Sequence, residues 1–275
     1  MKTNPSKKTI IFDIGNSNIT AGVFDGASGR LLFNFRLRTN INYTEDQHYT
    51  HVQQLLSING VNRNDICGAF VGSVVPAVTP AFTAMLVKYF GIKPLTMKPG
   101  IKMNVRNLYR NKTEVGDDRL ANACAAAKYF PKKDVIVIDL GTSINFDAVS
   151  RKAEFLGGAI MPGINMSLRA LFERTAKLPQ INLQYEKKGI GKTTEESISS
   201  GVLNGIIGGI NRAVAMIKKD MKAKKVTLVF TGGEAHPYIL DSMEEDLIVK
   251  DRDFTLKGFK IIHDMNKKCG HGQGK

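Results

Sequence analysis

The sequence predicts a layered α/β protein built from a duplicated unit, and three observations carry that expectation. The segment IIFDIGNSNITAGVFD around Asp13 is echoed by VIVIDLGTSINFDAVS around Asp139, 126 positions later. That separation is far longer than the roughly 20–50 residues of a solenoid repeat, so it signals a duplicated domain. Strand-like runs alternate with helical patterns along the chain, the signature of helices layered on a sheet. With 275 residues, 43% hydrophobic and 23% charged, the chain has ordinary globular composition and enough length for one large or two moderate domains.

Each copy opens on a β-branched run, Thr9 to Phe12 and Val135 to Ile138, that ends in Asp-x-Gly and a polar turn. A second strand follows, then a turn (Asp25 to Gly29; Arg151 and Lys152), then a third strand, Leu31 to Arg38 or Glu154 to Ala159. Between the copies, apolar periodicity predicts helices over His48 to Ser57, Thr79 to Tyr89 and Asp118 to Tyr129, the last with an alanine-rich face. After the second copy come helices over Asn165 to Thr175 and Thr194 to Met221, the latter broken at Gly208-Gly209, and a strand from Val226 to Phe230 that runs into Thr231-Gly232-Gly233. The expected boundaries are 1–130 and 131–266, with a disordered tail over 267–275 in which His271 is solvated.

No stretch approaches the ~18 consecutive apolar residues of a membrane span, and no membrane association is expected. The apolar run after Lys7 and Lys8 is cut by Asp13, so no secretory signal is expected. Cys67, Cys124 and Cys269 have neither disulfide nor zinc spacing, which fits a reducing, cytoplasmic setting. The 39 Lys and Arg against 25 Asp and Glu give a formal +14. These cations are scattered in pairs such as Lys132-Lys133 and Lys224-Lys225, without interleaved aromatics or a nucleic-acid-binding signature, so no nucleic-acid partner is expected. A positive field suits anionic small substrates such as nucleotides.

The residues that can carry chemistry cluster in the turns. In Asp13-Ile14-Gly15-Asn16-Ser17-Asn18 the glycine allows close backbone approach, amides and hydroxyls after a strand can cradle phosphate oxygens, and an aspartate at a strand end can hold hydrated Mg²⁺. An Asx-type hairpin turn would look the same. The second copy, Asp139-x-Gly141-Thr142-Ser143, favours the functional reading, and Thr231-Gly232-Gly233 adds a third turn on which a nucleoside can lie. Gly191-Lys192-Thr193 imitates the end of a P-loop, but the first glycine of that motif would fall on Glu186 and no strand pattern precedes it. Glu114 to Arg119 opens a helix. Its carboxylates can serve as cap and dipole partners, or one can be a base with Arg119 clamping a substrate carboxylate; the residues alone leave both open.

Taken in order, these segments resemble the type III pantothenate kinases of the actin-like and sugar-kinase ATPase superfamily. The resemblance spans almost the whole chain: Asp13-x-Gly15-Asn16, Tyr109-x-Asn111, Gly116-x-Asp118-Arg119, Asp139-x-Gly141-Thr142, Gly157-Gly158-x-Ile160-x-Pro162-Gly163, Thr175-Ala176-x-Leu178-Pro179, Gly191-Lys192-x-Thr194 with Ser200-Gly201 and Gly205, and Thr231-Gly232-Gly233. Leu256-x-Gly258-Phe259 resembles the family's closing strand. The resemblance implies two tandem ribonuclease H-like domains of the actin-like ATPase fold with a nucleotide cleft between them. It implies ATP-dependent phosphorylation of the primary hydroxyl of pantothenate, the first step toward coenzyme A, by a homodimer. By the same resemblance Asp118 is the general base, and Tyr109, Gly116, Asp117, Arg119 and Thr194 fall at substrate positions. Asp13, Ile14, Gly15, Asn16, Ser17, Asn18, Ile19, Thr20 and Thr142 fall at ATP positions. Asp139 matches a ligand of K⁺ or NH₄⁺; Asp13, from its place at a strand end, is expected to hold Mg²⁺ through water. Ser143 and Asn145 stand where the family usually has Ala and Thr, Ser17 where it commonly has Thr, and Lys112 where it has Pro. Ser17 keeps a hydroxyl and Asn145 keeps donor and acceptor, so altered nucleotide affinity rather than inactivity is expected. The competing readings are an actin-fold kinase of another small carboxylate-bearing alcohol and a non-catalytic regulatory or nucleic-acid-binding relative that kept the fold.

Overall fold

The computed structural model describes residues 7–244 and 247–267, so all of the tail expected over 267–275 except Lys267 lies outside the described residues. In chain order the elements are β1 (Lys8–Ile14), β2 (Asn18–Asp25), β3 (Leu31–Arg38), α1 (Glu45–Ile58), β4 (Ile66–Ser73), α2 (Thr79–Phe90), β5 (Leu95–Thr96), β6 (Arg106–Asn107), α3 (Asp117–Tyr129), β7 (Val135–Leu140), β8 (Ser143–Ser150), β9 (Glu154–Pro162), α4 (Ile164–Arg174), α5 (Thr194–Asp220), β10 (Thr227–Thr231), α6 (Pro237–Leu240), β11 (Ile248–Lys250) and α7 (Phe254–Asn266). They form two compact units. One comprises the described residues of Met1–Asn104, Thr113–Ala125 and Thr255–Lys275, the other Val105–Lys112 and Ala126–Phe254.

The first unit is a mixed sheet in the order β3-β2-β1-β4-β5, antiparallel through β1, β2 and β3 and parallel between β1 and β4. The β-branched run of β1 is buried on both faces, as a central strand requires. On one face Ile10, Phe12 and Ile14 meet Val52 and Leu56 of α1 and Phe82, Met85 and Leu86 of α2. On the other, Phe70 lies 5.3 Å from the ring of Phe259 on α7. The Leu256-x-Gly258-Phe259 segment is therefore helical rather than a closing strand. Leu256, Phe259, Ile262 and His263 are buried at the three-to-four-residue spacing of one helix face. Gly258 sits against the Ala121 carbonyl of α3 with no room for a methyl group.

Helix α1 starts on a capping box in which the Thr44 hydroxyl accepts from the Gln47 amide and the Gln47 side chain accepts from the Thr44 amide at 3.0 Å. Its His48 is 2% exposed, lies 4.4 Å from the Phe82 ring, and has no hydrogen-bond partner on Nε2. Burial, reinforced by the charge of His51, lowers its pKa from 6.5 to about 4. The folded protein thus keeps His48 neutral, and the unfolded chain binds the extra proton as pH falls from 6.5 toward 4. Stability is unaffected above 6.5 and drains away across that window, by about 1–2 kcal/mol at pH ~5. His48→Phe removes the titration, so its melting temperature should exceed that of the parent at pH ~5 by more than at neutral pH. Parallel melting curves across this range would refute the assignment.

The second unit repeats the β1-β2-β3 arrangement as β7-β8-β9 within a six-stranded mixed sheet ordered β11-β10-β7-β8-β9-β6. Ile136, Ile138, Leu140, Phe146, Leu228 and Phe230 pack beneath Ile206, Ile210 and Val214 of α5 and neighbouring helices. Helix α5 runs unbroken through Gly208-Gly209. The glycines cost roughly 1 kcal/mol each relative to alanine, and the buried row on either side of them outweighs that. Gly209 also admits the side chain of Met161. By length and composition α5 could cross a membrane, yet its apolar row faces its own sheet while Asn204 and Arg212 lie on the exposed side.

Candidate active site

In the first unit, β1 and β4 run parallel and their C-terminal ends converge on the Asp13 turn. The turn closes with the Gly15 amide donating to the Asn18 carbonyl at 3.0 Å. It is braced from the segment after β3, where the Thr39 hydroxyl donates to the Gly15 carbonyl at 2.6 Å. Asn16, Ser17 and Asn18 are exposed, Asp13, Gly15 and Thr20 half-buried. Ile14 and Ile19 are fully buried, paired across the hairpin; their side chains belong to the core, and only their backbone faces the turn.

The Gly116–Arg119 segment arrives at this same end. Ser73 is the register partner of Ile14, and its amide donates to Asp117 Oδ2 at 3.0 Å, pinning the start of α3 to the end of β4. Asp118 turns back on its own helix, Oδ1 accepting from the Arg119 amide at 2.8 Å. That oxygen occupies the space a side chain at Gly116 would need. Burial raises the pKa of both aspartates. For Asp118 the opposing influences are the Arg119 amide, the Arg119 charge and its own amide; for Asp117 the Ser73 amide opposes and the Asp118 charge adds to the rise. Arg119 is 6% exposed.

In the second unit the echo turn sits at the C-terminal ends of β7 and β10. Asp139 pairs with Asn145 on β8 and Thr231 on β10. Gly232 (φ +89°) lies against the Asp139 carboxylate and the Leu140 carbonyl, where any Cβ would overlap both. Gly163 accepts no side chain either, because it sits on the Gly141 and Thr142 carbonyls and donates to the latter at 3.1 Å. Thr142 is exposed. Cross-strand partners share a face, so Asn145 stands beside Asp139, with the Ser143 hydroxyl 3.4 Å from its Oδ1. Among the described residues no three His, Cys, Asp or Glu gather into a metal cluster, so a cation here would rest on single carboxylates and ligand oxygens.

Two further residues expected at substrate positions lie in this unit. The Tyr109 ring packs on Phe155 at 6.2 Å and over Gly157, whose φ of +111° and contact with the ring both call for glycine. Thr194 begins α5, which Thr193 caps by accepting from the Glu196 amide at 3.1 Å. Thr194 lines an open groove of about 750 Å³ together with Gly191, Lys192, Ser197, Leu171 and Leu178.

Sequence reasoning missed Glu234. Directly after Thr231-Gly232-Gly233, it donates its amide to the Leu140 carbonyl at 2.9 Å and takes the Asn165 side-chain amide on Oε1 at 2.5 Å. Burial raises its pKa, opposed by the Asn165 side chain and the Ile164 and Asn165 backbone amides. Glu234 therefore supplies the N-terminal cap that Gly163 lacks for α4 and locks α4 to the glycine turn. Position directly after the glycine pair was the only signal in the sequence; its side-chain partner Asn165 is 69 residues away in the chain.

Comparison with known proteins follows the same residues. A profile of the type III pantothenate kinase family matches residues 9–216. A type III pantothenate kinase from Finegoldia magna is 39% identical over 260 residues, covering 94% of this chain and 97% of that protein. Among solved structures, a putative Baf family transcriptional activator from Campylobacter jejuni matches 94% of this chain and 98% of its own at 23% identity and a TM-score of 0.57. A ROK hexokinase from Thermus thermophilus matches 94% of this chain and 99% of its own at 15% identity and a TM-score of 0.51. At these identities the structural likenesses speak to the fold.

Proposed function

The chain belongs to the type III pantothenate kinase family and phosphorylates pantothenate with ATP in coenzyme A biosynthesis, and we propose that Asp118 is its general base. Its fold is that of the actin-like ATPases. The observation that carries the proposal is the Asp118 carboxylate at the start of α3, half-buried, over Gly116 and with a raised pKa. A carboxylate whose pKa is raised accepts a hydroxyl proton more readily. As the pantothenate hydroxyl oxygen bonds to the γ-phosphorus, the bond to the β,γ-bridging oxygen breaks, ADP leaves, and the hydroxyl proton passes to Asp118. Arg119 offers a planar fork suited to a carboxylate; Tyr109, Gly116, Asp117 and Thr194 complete the substrate set.

The Asp13–Thr20 turn and Thr142 would cradle the ATP phosphates through backbone amides and hydroxyls. Single carboxylates at strand ends suit a hydrated Mg²⁺ at Asp13 and a monovalent cation at Asp139. Such cations neutralise charge on the transferring phosphoryl group. An ADP-release assay with pantothenate, with and without K⁺, tests the reading; nucleotide binding without turnover would overturn it. In the same assay Asn145→Thr should change the apparent KM for ATP or the K⁺ requirement and leave the KM for pantothenate nearly unaltered. Superimposable ATP and K⁺ titrations would place Asn145 outside the site.

A homodimer is part of this proposal, supported by family membership; sedimentation at micromolar concentration showing only monomer would exclude it. So is a cytoplasmic location, with which the free thiols of Cys67 and Cys124 are in keeping.

A further inference from the structure

The lysine pairs that look scattered in the sequence are gathered by the second unit's sheet. Strands β7 and β10 are parallel, with Thr227 beside Val135, and Val149 of β8 lies opposite Val135. The glycine turns of the candidate site lie at one end of these strands. Three other turns lie at the opposite end: 130–134 before β7, 150–153 between β8 and β9, and 221–226 before β10. Asp134 ties them together. Its backbone carbonyl accepts from the Thr227 amide at 2.9 Å, and its carboxylate accepts from the Arg151 amide at 2.8 Å and the Arg151 Nε at 3.0 Å.

The first turn carries Lys132 and Lys133, the second Arg151 and Lys152, the third Lys222, Lys224 and Lys225, and all seven are exposed. The one carboxylate in the three turns is Asp134, which is buried and paired with Arg151. Seven cations against one carboxylate leave +6 on this edge, in a chain whose formal total is +14. A second feature marks the same turns. Among the described residues, the non-glycine positions with left-handed backbone are Lys132, Ala153 and Lys222, at φ 60°, 57° and 52°. Such positions ordinarily take Gly or Asn, yet two of them hold lysine.

We infer that this edge is a docking face for the phosphate backbone of double-stranded nucleic acid, held without base readout. Strands about 4.8 Å apart spread the four turn-bearing strands β10, β7, β8 and β9 over about 15 Å. Along that distance a duplex presents a charge every ~1.7 Å. Within these turns no aromatic side chain is exposed for single-stranded bases to stack on: Phe130 packs inward toward Phe254 at 6.4 Å, and the exposed Tyr129 beside the first turn, at the end of α3, leans on the same Phe254 ring at 6.2 Å. The only exposed apolar side chain in them is the short Pro131, which offers little to enter a bilayer, whereas stable membrane anchoring by basic residues needs an apolar insertion. Lysine, a point charge without a planar fork, fits phosphate contacts of no fixed geometry.

The test is fluorescence anisotropy of the full chain with labelled DNA and RNA duplexes of about 20 base pairs, beside a single strand of equal length and phosphatidylserine vesicles. Wild-type affinity for duplex should fall steeply between about 50 and 200 mM salt. Replacing Lys133, Lys152, Lys224 and Lys225 with glutamine should weaken duplex binding at least tenfold at the lower salt. The log–log salt slope should become shallower by about 3–4 units, with melting temperature and pantothenate kinase turnover unchanged. Replacing the exposed Lys93, Lys98 and Lys102 of the first unit with glutamine should leave binding intact. The inference is overturned if wild type binds no duplex, if its salt slope is flat, or if the two variants lose equally. Tighter binding of the single strand or of the vesicles would overturn it as well. DNA and RNA arms of equal affinity would assign the contact to the shared backbone.

Discussion

Asp118→Asn is expected to lower kcat by two or more orders of magnitude, with little change in the KM for ATP. Asparagine has the same shape and can still accept from the Arg119 amide that Asp118 engages at 2.8 Å, so the start of α3 should stay in place while the capacity to take a proton is lost. Asp117→Asn is the matched control. Asp117 meets the Ser73 amide, a bond that an asparagine oxygen can also accept, and the effect should be mild. The pH profile separates the roles further. The ionised carboxylate is the base, so activity is lost as pH falls through its pKa, and burial raises that pKa. The acid limb of the wild-type kcat/KM profile should therefore lie above the ordinary aspartate range and disappear in Asp118→Asn. Equal losses at the two positions would make both residues helix caps and remove Asp118 from the chemistry.

Gly232→Ala should be the most damaging single-methyl change in the second unit's turns. At φ +89° a non-glycine residue is strained, and the added carbon would overlap the Asp139 carboxylate and the Leu140 carbonyl. The backbone contact cannot be relieved by rotating a side chain, so the turn or Asp139 has to move. The expected result is a fall of at least tenfold in kcat/KM for ATP and a loss of ~2 kcal/mol or more in stability. Gly208→Ala is the contrasting change, since its side-chain position is open and it lies inside α5, where alanine should stabilise by about 0.5–1 kcal/mol. If Gly232→Ala keeps wild-type ATP kinetics, this turn does not carry the nucleotide.

Local features were legible because they are written in short stretches of chain. The hairpins after Asp13 and Asp139, the helix over Thr79–Phe90 and the third strand Leu31–Arg38 all follow from apolar periodicity and turn residues a few positions apart. Where local preference and packing conflict, packing prevails. Gly208-Gly209 does not interrupt α5, because Leu203, Ile206, Ile210 and Val214 are buried along one side. Leu256 to Phe259 is helical because the face it shares with Ile262 and His263 covers the first unit's sheet.

The sequence by itself determined the duplicated α/β architecture, the family, and which residue types stand at each turn, since all of these reside in the order and spacing of neighbouring residues. Tertiary structure alone decided that Ser73 holds Asp117, that Glu234 caps α4 from about 70 residues away, that Ile14 and Ile19 turn into the core, and that three separated lysine-bearing turns share one sheet edge. These relations depend on strand pairing and parallel crossovers, which bring distant segments together; the free energy that selects them comes from burying the sheets beneath their helices, a collective quantity that no short window of sequence contains.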